Sequence, residues 1–250
     1  MFFGFDLKEI FMFPVKDAEA RKHFFIGCVV SLAGFVIPIL PYFVLSGYAV
    51  KIVKQIFNNE SPHMVAWDDW GSMFKDGAKM YGVRIIYSIP ILILTIPIFI
   101  AGVGMPIFLE NANSANIDSI LVIFSLIMFG AFCLIIPLSF PLAVIIPAAE
   151  MHAVDRNEFA AGFRIKEWWP ILRANLSGFI AAFGIYYVAS MILMFAFQII
   201  MATLILGCLL PILLPALMMY LILIMYVTIA QAYKVGKEKL SEKEVILQQA

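Results

Sequence analysis

Charge is scarce in this 250-residue sequence: 14% of the residues are charged and 63% are hydrophobic. Mean hydropathy is +0.97. Soluble domains run nearer 45–50% apolar and about 25% charged, so a water-soluble globule is excluded and a bilayer is the expected solvent. Net charge is zero, which removes the basic surface that nucleic-acid binding needs. Cysteine is nearly absent too. Cys28, Cys133 and Cys208 sit inside apolar runs without a C-x-x-C spacing, so they read as small hydrophobes, neither a disulfide framework nor a zinc site. The first 23 residues carry Asp6, Lys8, Glu9, Lys16, Asp17, Glu19, Arg21 and Lys22. Charges of both signs spread in this way do not make a cleavable signal, and the first apolar segment is expected to be retained.

What the sequence does have is five long apolar runs, at roughly 24–50, 82–108, 119–147, 176–205 and 208–233. About 20 helical residues cover a ~30 Å hydrocarbon core, so each run is long enough to cross. No alternating pattern suggests a barrel. No Asp, Glu, Lys, Arg or His falls in the centre of any run, which argues against an ion-coupled pump. Gln198 is the strongest polar group left inside, and it is expected to bond between helices.

Of the 17 Lys and Arg residues, 16 lie before the first run, between the first and second, between the third and fourth, or after the fifth, and Arg84 stands at the start of the second. The loop 109–118, LENANSANID, has none, and neither does the join near Gly207. By the positive-inside rule those two are external and both termini are cytoplasmic, in the cell membrane. Five simple crossings would put the termini on opposite faces. A hairpin within 24–57 resolves this, broken at Pro38-Ile39-Leu40-Pro41, where prolines remove a donor and crowd the preceding turn. Its arms are short enough to be re-entrant. The alternative is one span over 24–50 with an external N-terminus and a surface helix from Lys51 to Phe57. The favoured fold is therefore an all-α integral membrane bundle of about six proline-broken helices in three hairpins, with short amphipathic surface helices. It forms one membrane domain over 1–235, with a charged tail at 236–250. A weak echo, FDLKEIFMF, WDDWGSMFKDG and FRIKEWWPIL, precedes each hairpin.

Asp68 and Asp69 form the most chemical-looking pair, set between Trp67 and Trp70 with Lys75 and Asp76 one or two turns on. Two carboxylates can hold a divalent ion only with further ligands, and His63 and Asp76 are the sole candidates nearby. The pattern fits better an aspartate capping a helix that begins near Trp70, with both indoles at headgroup depth. Lys75 and Lys79, four apart, can meet anionic lipid. Downstream, His152 and Asp155 can share a helical face, but this is not H-E-x-x-H and no metal is expected. Gly27-x-x-x-Ser31 and Gly178-x-x-x-Ala182 suit close helix contact.

The residues Gly47-Tyr48, Trp67-Asp68-Asp69-Trp70-Gly71, Phe74 and Asp76-Gly77 resemble an uncharacterised prokaryotic family of multi-span membrane proteins, known as a domain of unknown function. Ala160-Ala161-Gly162-Phe163-Arg164 with Arg173-Ala174-Asn175 carries the same likeness. The resemblance implies an integral membrane domain, similar in layout to the membrane domain of some glycerophosphodiester phosphodiesterases. Their catalytic activity is not implied, because no soluble catalytic domain accompanies it here.

The expected function is a non-catalytic membrane scaffold or accessory subunit without cofactors. Its partners are the bilayer and other membrane subunits, met by a face of Trp67, Asp68, Asp69, Trp70, Lys75 and Asp76 beside Arg164, Trp168 and Trp169. A permease for lipids or other apolar solutes is the alternative, built from the proline-broken helices. A membrane enzyme would have to draw on Asp68, Asp69 and His152 together.

Overall fold

The computed structural model describes residues 4–110, 117–202 and 210–249. Most of the loop 109–118 lies outside them, as do the join near Gly207, Thr203 and Cys208. The described chain is helical: α1 (Leu7–Met12), α2 (Ala18–Ala33), α3 (Leu40–Phe57), α4 (Trp70–Glu110), α5 (Ile117–Asp155), α6 (Ile165–Ala174), α7 (Leu176–Ala202) and α8 (Leu210–Gln249). Short 3-10 turns at Phe13–Val15 and Phe159–Phe163 join these. Local chemistry sets the starts. Asp6 accepts from the Glu9 amide at 3.1 Å to cap α1, and Asp17 accepts from Ala20 at 2.7 Å to cap α2.

The break expected at Pro38–Pro41 is real: α2 ends at Ala33 and α3 starts at Leu40. Ile39 takes φ 76° there, a left-handed conformation that a β-branched residue resists, at roughly 1–3 kcal/mol. A Cβ on Gly34 would stand 3.3 Å from the Tyr42 ring, and further along Trp67, stacked on Tyr48, donates to the His23 carbonyl. At 1.5 Å per residue the arms measure about 24 and 27 Å.

Other prolines do not break their helices. Pro90, Pro97 and Pro106 lie inside the continuous 41-residue α4, and Pro137, Pro141 and Pro147 lie inside the 39-residue α5. The expectation of generally proline-broken helices is corrected. In hydrocarbon an unpaired backbone is costly, so the apolar residues on either side carry the helix past a single missing donor. Four helices, α4, α5, α7 and α8, are long and apolar enough to cross a membrane.

Residues are grouped in two compact units, 1–83 with 147–250, and 84–146. In the first, α8 packs against α2, α3, α6 and α7. Its core is Leu45, Tyr48, Ile52, Met73, Met80, Met151, Trp168, Met219, Leu223, Ile224 and Tyr233, each under 2% exposed. The expected small-residue contact at Gly27 is present, since a Cβ there would meet the Met219 thioether at 2.6–2.9 Å. In the second unit, Phe108 of α4 and Phe124 of α5 meet with centroids 5.9 Å apart, and Ala101 and Ala131 are buried. Gln198 of α7 is exposed, and among the described residues it makes no interhelical bond.

Candidate functional site at the charged end of the helices

The stretch around Asp68 and Asp69 is held by α3. Asp69 accepts from the Ser72 amide at 3.1 Å, capping α4 as its sequence suggests. Hydrogen bonding from Ser72, side chain first and then amide, holds the Asp69 carboxyl below the usual carboxylate range. Asp68 pairs with Lys51 at 3.2 Å, and that ammonium lowers its pKa in the same way. One turn on from Lys51, Lys54 donates to Asp76 at 2.7 Å, and Lys79 approaches the same carboxylate at 3.6 Å. The two helices touch backbone to backbone here. A Cβ on Gly47 would collide with the Met73 carbonyl, and one on Gly77 with the Phe43 carbonyl. Nothing larger than glycine fits at either position.

Trp67 is only 8% exposed, stacked on Tyr48 at 4.0 Å with its indole N–H on the His23 carbonyl at 2.9 Å. Its hydrogen bond to α2 and its stack on α3 make it part of the protein core. Trp70 is 45% exposed. Lys75 is exposed and has no partner among the described residues, whereas Lys79 is engaged with Asp76 and with Asn157 at 3.4 Å.

Asn157 leads to the second cluster. The 3-10 turn Phe159–Phe163 lies on α4, where a Cβ on Gly82 would come within 3.0 Å of the Phe159 ring and one on Gly162 within 2.8 Å of Val83. Arg164 donates through one nitrogen to both oxygens of Glu158 at 2.7 Å. Trp168 is buried at 1% exposure with its indole N–H on the Gly162 carbonyl at 3.0 Å, while Trp169 is 41% exposed. The face expected at 67–76 and 164–169 therefore keeps Trp70, Lys75 and Trp169 outward and turns Trp67 and Trp168 into the core.

Behind α6 lies a chain of bonds that ties α5, α6 and α8. His152, 1% exposed, contacts Glu167 through Nε2 at 3.1 Å and the Tyr233 hydroxyl through Nδ1 at 2.7 Å. A carboxylate only accepts, so in the neutral imidazole Nε2 carries the proton and Nδ1 accepts from Tyr233. Lys237 donates to both oxygens of Asp155 at 2.8 Å, and Tyr233 is 3.5 Å from the same carboxylate. His152 and Asp155 do share this neighbourhood. Neither Asp68 nor Asp69 takes part in it among the described contacts.

Residues 30–205 match the family described as Protein of unknown function (DUF4013). This stretch is well over half of the chain. The chain belongs to the DUF4013 family. No curated protein and no solved structure matches it. In this DUF4013 chain the matched stretch ends before α8, yet α8 supplies Tyr233 and Lys237 to the buried network.

Chemically, the arrangement is a set of interlocks. Each carboxylate named above faces an ammonium, a guanidinium, an imidazole or a backbone amide. Among the described residues, no group of three His, Cys, Asp or Glu side chains is placed to hold a metal ion. Sequence reasoning gave no site role to Tyr48, Lys51, Lys54, Glu167, Asn175 or Tyr233. A usable signal existed for the lysines, because Lys51 and Lys54 stand three apart on one face of α3, opposite two acidic positions of the next segment. Tyr233 offered none beyond being a hydroxyl at the end of an apolar run.

Proposed function

We propose that this DUF4013 protein is a non-catalytic scaffold or accessory subunit of the prokaryotic cytoplasmic membrane. Its charged end faces the cytoplasm and meets a protein partner or lipid headgroups. In this reading six helices form three hairpins, the α2–α3 pair is re-entrant, and both termini are cytoplasmic. The confinement of every basic residue to one side supports that topology. One observation carries the functional reading: Asp68, Asp76, Glu158 and Asp155 are each spent on a cation, while Trp70, Lys75 and Trp169 remain exposed. A general acid, base or nucleophile must be reachable by substrate, and the His152–Tyr233 pair is sealed at 1% exposure each. Exposed aromatics with a free cation suit an interface instead.

The test replaces Trp70, Lys75 and Trp169 together by alanine in the full chain, followed by purification in mild detergent. Loss of co-purified protein or lipid with unchanged thermal unfolding is expected. Retention of every bound component, at normal stability, would overturn the reading.

A further inference from the structure

An apolar groove of about 870 Å³ runs along α7, bounded by α1 and α8 and lined by Leu7, Phe11, Ile180, Gly184, Val188 and Ile192 among others. Its lining on α7 extends from Ser177 to Leu193, about 24 Å at 1.5 Å per residue, more than one leaflet of a ~30 Å hydrocarbon core. Ile180, Val188 and Ile192 are each more than half exposed, and a Cβ on Gly184 would meet nothing within 4 Å. At bilayer depth such a groove does not stay empty. Hydrocarbon fills it.

The chemistry at its mouth says which hydrocarbon. Ser177 follows an elbow at Asn175, whose backbone (φ −134°, ψ 40°) separates α6 from α7. The elbow is pinned to α8: Asn175 donates to the Ala232 carbonyl at 2.9 Å and accepts from Lys239 at 2.8 Å. Arg173, two residues before it, is exposed and has no partner among the described residues. Among the described residues neither cation meets a carboxylate, whereas Lys51, Lys54, Lys79, Arg164 and Lys237 all do. Asp6 and Glu9, the acidic residues of the α1 segment, line a different cleft, together with Lys8 and Lys16. An apolar slot whose α7 lining begins four residues after the unpaired Arg173, and two after the Asn175 that Lys239 holds, is complementary to a lipid with a negative head and long chains.

We infer that the α7 groove binds one anionic phospholipid, with its acyl chains along Gly184 and Val188 and its phosphate at Arg173 and Lys239. The site goes beyond the scaffold reading. It needs neither Trp70 nor Trp169, and it holds whether or not a protein partner exists.

The experiment uses the full chain in nanodiscs with phosphatidylglycerol or phosphatidylcholine, each spin-labelled on an acyl chain, and reads the immobilised fraction by electron paramagnetic resonance. The wild type should hold phosphatidylglycerol several-fold better than phosphatidylcholine. Arg173→Gln, which removes no hydrogen bond or ion pair among the described residues, should cut that preference about fivefold while sparing the phosphatidylcholine signal. Gly184→Phe should abolish the immobilised component of both lipids. Equal binding of the two lipids by the wild type would overturn the inference, as would a Gly184→Phe variant that still immobilises them. So would a Gly184→Phe variant that turns a dimer into a monomer, because the groove would then hold a second copy of the chain.

Discussion

The helices of residues 84–146 and helix α8 are about equally hydropathic, yet only 6% of the apolar window of α4 or of α5 is buried, against 44% for α8. In the first region Phe99 and Phe129 are about 70% exposed, and the pair of helices touches through Phe108, Phe124 and small residues. In the second, Met219, Leu223 and Ile224 are sealed against α2 and α3. One kind of apolar helix thus leaves its apolar residues exposed, and the other buries them as core. Hydropathy measures only the preference for leaving water, and both environments satisfy it. What separates them is the company of polar and small residues. Helix α8 carries Thr228, Tyr233 and Gly236 toward its neighbours, and Asn175 and His152 reach in to meet it.

Glycine substitution breaks this comparison most sharply. Gly47→Leu or Gly77→Leu drives a side chain into the opposing backbone, and the expected loss is more than about 3 kcal/mol, with failure to fold in detergent. Gly102→Leu and Gly130→Leu meet open space within 84–146 and should stay within about 0.5 kcal/mol of wild type. Thermal unfolding followed by circular dichroism compares the four.

Aromatic truncation sharpens it next. Trp168→Ala removes a buried ring and should cost about 3–5 kcal/mol. Phe99→Ala, at 71% exposure, should change the same denaturation midpoint little. A smaller effect is expected for Tyr233→Phe, which leaves a buried His152 nitrogen without its hydroxyl, at about 1–3 kcal/mol.

The smallest effect concerns acid. The Asp68 and Asp69 pKa values are depressed in the folded chain, so their stabilisation is complete above the unfolded carboxylate pKa of about 3.9 and fades as pH falls through the folded values. Asp69→Asn should therefore show a shallower loss of stability on acidification than wild type. Titrated unfolding between neutral and strongly acidic pH checks this, and identical curves would remove the cap from the list of acid-sensitive contacts.

How much of this was legible follows the same division. The α2–α3 break showed in the prolines, and the Asp69 cap showed in an acidic residue placed just before an amphipathic start. Trp67 and Trp168 did not show as buried, because an indole next to charges reads equally as an interface anchor. Only the contact with Tyr48, or with the Gly162 carbonyl, shows that the ring is buried in the protein. The His152–Tyr233 bond joins residues 81 positions apart, and no local pattern encodes a pairing at that range. The prolines of α4 and α5 misled because a single missing donor bends a helix in hydrocarbon without ending it.

The direct measurement is accessibility of Cys133, which is exposed on α5 inside an apolar surface. With Cys28 and Cys208 replaced by alanine, inside-out and right-side-out membrane vesicles are treated with a membrane-impermeant maleimide. A second chain carries Lys75→Cys in place of Cys133. Position 75 should label from one side only, and Cys133 should stay unlabelled from both until detergent is added. Rapid labelling of Cys133 in intact vesicles would contradict a lipid-facing role for residues 84–146.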